Sequence, residues 1–158
     1  MFYGCSNLEE VIIPHARCEN WDHAFSGCTN LINLKFVDYY HNGDRTTDDT
    51  DWAHNATSLI GTFQNCSSLT EITLDPYKDN VVDISSCFSG CSSLNTITFK
   101  YSPNLNENST NVFNGCTSLT RINVPGGSGD GSHTTLIQFL TNSGLTCHNH
   151  YGYISVND

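Results

Sequence analysis

The chain has 158 residues, the size of one ordinary domain, with 16 acidic against 6 basic residues and a formal charge of −10. That balance excludes the basic stripe that nucleic acid or an anionic membrane surface requires, and no run of about 18 apolar residues exists to span a bilayer. Ser, Thr and Asn make up a third of the chain while only 14% is charged, so the polarity is neutral and hydrogen-bonding, as in a turn-rich fold rather than a disordered one.

In chain order, the first element is a segment that returns four more times. FYGCSNLEEVII (2–13), FSGCTNLINLKF (25–36), FQNCSSLTEITL (63–74), FSGCSSLNTITF (88–99) and FNGCTSLTRINV (113–124) align without gaps, with their Phe residues 23, 38, 25 and 25 apart. The first copy closes on a strand at 11–13, an apolar sheet edge that nothing earlier in the sequence covers. Further repeats or a partner are therefore expected over this N-terminal end, unless Met1 is the true start and Pro14 blunts the edge. The second copy is followed by an insertion at 38–62, where Asn42-Gly43 signals a small hairpin. Its Asp44, Asp48, Asp49 and Asp51 miss the calcium-loop pattern and form a solvated acidic loop.

After the third, fourth and fifth copies comes a Gly-rich loop at 126–132, which lacks the Gly-Lys-Ser/Thr of a phosphate loop. Leu136, Ile137, Phe139 and Leu140 then have helical spacing, with Gly144 placed as a C-terminal cap. Tyr151, Tyr153, Ile154 and Val156 suggest a last strand. Residues 133–158 are thus expected as a cap of one helix and one strand, closing a repeat region at 1–125.

The repeat has a physical logic. L-x-x-I-x-I turns three apolar side chains to one side of a short extended segment. One unit cannot bury that side alone, but stacked units bury it against one another, their strands pairing in parallel. The core is expected to be columns of like residues: Phe2, Phe25, Phe63, Phe88 and Phe113; Cys5, Cys28, Cys66, Cys91 and Cys116; Leu8, Leu31, Leu69, Leu94 and Leu119. Gly or Asn two residues after each Phe tolerates the positive φ of a tight turn.

The form F-x-[GN]-C-[ST]-[NS]-L-x-x-[VIL]-x-[aliphatic or Phe] closely resembles the BspA-like leucine-rich repeats. The resemblance covers about residues 1–125. It implies a leucine-rich-repeat right-handed solenoid of short parallel β-strands, turns and brief helical segments, and for some members adhesion to host proteins or other cells. The long second unit and the last 33 residues depart from the pattern.

Candidate chemistry is sparse. The column cysteines would point their Cβ atoms the same way, a poor geometry for disulfides, so they are expected as free buried thiols. Cys87 looks like packing, while Cys18 and Cys147 are undetermined. Cys147, His148 and His150 offer zinc-ligand types but lack a second pair at ligand spacing. No Gly-x-Ser-x-Gly elbow is present. Neither a catalytic residue, a metal nor a cofactor is expected.

What remains is the outward side of the strands, a ladder including Glu10, Lys35, Glu71, Thr73, Thr96, Thr98, Arg121 and Asn123, together with Tyr39, Tyr40 and Trp52 of the insertion. These are the expected binding residues for a protein or glycan ligand, on a cell-surface or extracellular adhesion and recognition module without catalytic activity. The alternative is a structural component of a larger assembly, such as a virion or appendage.

Overall fold

The computed structural model describes residues 1–14, 18–37, 55–74, 80–124 and 134–157. Each repeat ends in a short strand: β1 (Glu10–Pro14), β2 (Asn33–Val37), β3 (Glu71–Leu74), β4 (Thr96–Phe99) and β5 (Arg121–Asn123). Helix α1 (Thr134–Asn142) and strands β6 (Cys147–His150) and β7 (Tyr153–Val156) follow. Repeat strands pair in parallel at equivalent positions, Ile72 beside Ile97 and Ile97 beside Ile122. The stack of like residues is therefore in register.

The Phe column is continuous through all five units. Ring centroids lie 5.5 Å apart for Phe2–Phe25 and Phe25–Phe63, and 6.0 Å for Phe63–Phe88 and Phe88–Phe113, with interplanar angles of 10° or less. Leu31, Leu69, Leu94 and Leu119 form a buried row beside it. Full burial of each such side chain contributes about 1.5–3 kcal/mol, which is how units too small to fold alone stabilise one another.

Three core expectations fail at the first unit. Cys5 is exposed and Phe2 and Leu8 are only half-buried, because this unit has a neighbour on one side alone among the described residues.

The turns are held by a second ladder. In each of the first four units, alternate N–H groups around the Phe donate to alternate carbonyls of the next unit: Phe25 to Thr62 and Gly27 to Gln64, Phe63 to Cys87 and Asn65 to Ser89, at 2.7–2.9 Å. The residue two after each Phe has positive φ, as its Gly or Asn identity foretold, from 62° at Asn65 to 80° at Gly90 and Gly115. A second left-handed position, two before the Phe, carries that signature in only two of four units: it holds His23, Gly61, Ser86 and Asn111 at φ 53–59°.

The strands form two sheets rather than one. One holds β1 and β2; the other has the order β3-β4-β5-β7-β6. The break falls at the unit that is longer than the rest, where the Ser68 N–H bonds the Thr29 carbonyl in place of the usual strand contact. Turn and Phe columns cross this junction unbroken. From Ala56 onward the segment expected as an insertion is part of the stack, for Ala56, Leu59 and Thr62 are fully buried. Its Tyr39, Tyr40, Trp52 and Asn42-Gly43 turn lie outside the described residues, as does the Gly-rich loop.

The C-terminal segment differs from one helix plus one strand. Helix α1 buries Leu136, Phe139 and Leu140 and ends at Gly144, φ 90°. There the Leu145 N–H bonds the Leu140 carbonyl and the Gly144 N–H bonds the Thr141 carbonyl, which satisfies the last carbonyls of the helix. Then β6 and β7 form an antiparallel hairpin, and β7 pairs antiparallel with β5. Residues 147–150, where the sequence suggested only scattered metal-ligand types, are thus a strand.

Candidate functional site

Strand alternation separates the inward and outward side chains. Ile72, Ile97, Ile122 and Ile154 are buried, while their strand neighbours Glu71 and Thr73, Thr96 and Thr98, and Arg121 and Asn123 lie on the opposite face. In the smaller sheet, Glu10 and Lys35 lie outward and form an ion pair at 2.7 Å, each about half exposed.

The hairpin extends this outward face. Its register sets Ser155 beside Arg121, Tyr153 beside Asn123, His148 beside Ser155 and His150 beside Tyr153. Directly paired residues share a sheet face, so these groups continue the ladder across two more strands. Cys147, paired with Val156, is on the other face; the strand therefore separates it from His148 and His150. Among the described residues, no group of three metal-ligating side chains gathers.

Side-chain contacts link the face across four strands. The Asn123 amide donates to the Thr98 hydroxyl at 3.0 Å, and Arg121 Nε donates to Asn123 Oδ1 at 2.7 Å. The Arg121 guanidinium lies 3.9 Å from the centre of the Tyr153 ring. That ring stacks on His150 at 4.6 Å, and His150 Nε2 is 3.1 Å from the Ser155 hydroxyl. Arg121 has no carboxylate partner among the described residues, so the stack and Asn123 aim its fork while its charge stays available to a ligand. Such an arrangement offers charged donors beside flat aromatic surface, the groups that recognition sites combine.

Of the expected binding residues, Thr98, Arg121 and Asn123 belong to this run. Glu71, Thr73 and Thr96 line the same sheet, and Glu10 and Lys35 are on the other sheet. His148, His150 and Tyr153 were missed, because neither the β6–β7 hairpin nor the pairing of β7 with β5 is encoded in the repeat period. The alternation from His148 to His150 was the available signal.

The cysteine column has a structural part. Thiols of Cys28, Cys66, Cys91 and Cys116 donate to the carbonyls of Phe2, Phe25, Phe63 and Phe88 in the preceding unit, at 3.0–3.2 Å. All eight cysteines are free. Burial pushes the Cys66 thiol up to about 12 and Cys116 up to about 11, with Cys87 and Cys91 raised further; these are poor nucleophiles.

Stacked units with a buried leucine row, parallel strands and a hydrogen-bonded turn ladder define a leucine-rich repeat protein. The chain belongs to the BspA type leucine rich repeat family, whose model matches residues 1–44 and 58–135 with six copies of the repeat. That family is associated with surface adhesion and recognition. No curated protein and no solved structure matches the chain.

Proposed function

We propose that the repeats wind as a right-handed solenoid and serve as a non-catalytic adhesion or recognition module of a cell-surface protein, binding a protein or glycan through the outward face of the larger sheet. The observation that carries this reading is the linked run Thr98–Asn123–Arg121–Tyr153–His150, a pre-positioned cation beside stacked rings on rigid strands. Pre-positioning supports binding because little side-chain freedom remains to be lost.

The test is a screen of the purified chain against immobilised glycans and extracellular-matrix proteins, repeated with Arg121→Ala and Tyr153→Ala. Binding that falls at least about tenfold in both variants, equal to a loss of about 1.4 kcal/mol, supports the face. Full binding by both variants, or no binding by the parent chain, overturns it.

A further inference from the structure

The fifth unit carries unmet donors. At the last internal junction, the N–H groups of Ser86, Phe88 and Gly90 bond the carbonyls of Thr110, Val112 and Asn114 at 2.7–3.1 Å. Asn111, Phe113 and Gly115 are their equivalents one unit on, and their N–H groups have no acceptor among the described residues. The hairpin closes the strand edge of this unit, since β7 pairs with β5, but leaves the turn edge open.

That edge faces a cavity of about 570 Å³, whose walls are residues 109–115 (without Val112) and the end of α1 from Asn142 to Leu145. The volume lies in the range that holds a specific ligand. Most of the lining is neutral and polar, and no charged side chain contributes to it. The three donors lie on a turn, with φ 56° at Asn111 and 80° at Gly115, and at each internal junction the same donors meet carbonyls of another such turn. Main-chain carbonyls at every second residue fit them, as the internal junctions demonstrate. Phe113 is only 6% exposed, so attraction comes from backbone pairing rather than ring stacking.

We propose that this turn edge is a docking site for a turn-forming segment of a partner protein, rich in small polar residues, which adds its alternate carbonyls to the N–H groups of Asn111, Phe113 and Gly115. It is separate from the outward sheet face, so either surface can fail without the other.

The experiment follows backbone amides of the ¹⁵N-labelled chain by NMR, with an acetylated, amidated hexapeptide of alternating Ser and Thr as probe. Without peptide, the amides of Asn111, Phe113 and Gly115 exchange freely with solvent while those of Ser86, Phe88 and Gly90 are protected. With peptide, the first three shift and exchange about tenfold more slowly at roughly nine times the Kd. Asn142→Trp, at an exposed position, fills the cavity and removes the peptide effect without loosening Ser86, Phe88 or Gly90. Three outcomes each overturn the proposal: protection of these amides in the free chain, no response to peptide, or shifts that follow protein concentration alone, which assign the edge to a second copy.

Discussion

The Cys91 thiol donates to the Phe63 carbonyl one unit back at 3.0 Å, and the same carbonyl accepts the Cys66 N–H at 3.0 Å. One oxygen thus ties a turn both to its own unit and to the next. The repeated cysteine fills a small apolar site and joins units through its S–H, which explains its recurrence without a disulfide or a metal.

These thiols make stability depend on alkaline pH. Burial, the largest cause, raises Cys66 from 9.0 to about 12 and Cys116 from 9.0 to about 11. The folded chain holds these protons more tightly than the unfolded one, so the contribution is complete below about pH 9 and is lost as pH rises through the folded values. Each thiol adds a slope of up to about 1.4 kcal/mol per pH unit within its window. Urea midpoints should be level from about pH 7 to 8.5 and decline above about pH 9. A flat profile to pH 11 would contradict the buried column.

Phe88 has ring neighbours on both sides and is fully buried, whereas Phe2 is half-buried with one ring neighbour. Phe88→Ala should cost about 3–5 kcal/mol and Phe2→Ala about 1–2 kcal/mol. Equilibrium denaturation of the two variants checks the ranking; equal losses would mean that the column is not continuous.

Two equivalent glycines should respond unequally. A Cβ on Gly115 meets nothing nearer than Gly90 Cα at 3.5 Å, while one on Gly90 clashes with Asn65 Oδ1 and lies 3.3 Å from Asn65 Cα, both positions having φ 80°. Gly115→Ala should cost only the left-handed penalty of about 1–2 kcal/mol, and Gly90→Ala roughly 1 kcal/mol more. Thermal denaturation separates the two.

The Glu10–Lys35 pair is short, at 2.7 Å, but about half exposed on both sides. Lys35→Ala should change stability by less than about 0.5 kcal/mol, and raising the salt should shrink even that difference. A larger, salt-insensitive loss would show that the Lys35 stem packs on the exposed Ile12 beside it in register.

Much of the core was legible because repetition exposes it. Five aligned Phe and Leu positions mark what must face inward, and Gly or Asn two residues past the Phe marks the left-handed turn. His23 and Ser86 sit at the other left-handed position with residue types that give no hint of it. Of the candidate site, Arg121, Asn123 and Thr98 could be placed outward by alternation alone. Tyr153 and His150 could not, since Tyr153 meets strand residues some 30 positions earlier in the chain and His150 joins them only through Tyr153.

By itself, the sequence determined the unit: its period, its inward residues and one of its two turn positions, all set by local sterics and by a hydrophobic face that one unit cannot bury. Only the tertiary structure decided which strands meet. The break between β2 and β3, the hairpin on β5, and the Arg121–Tyr153–His150 stack depend on hydrogen-bond edges left free after packing. Such edges are satisfied by whichever distant segment reaches them, and a repeat consensus carries no record of that choice.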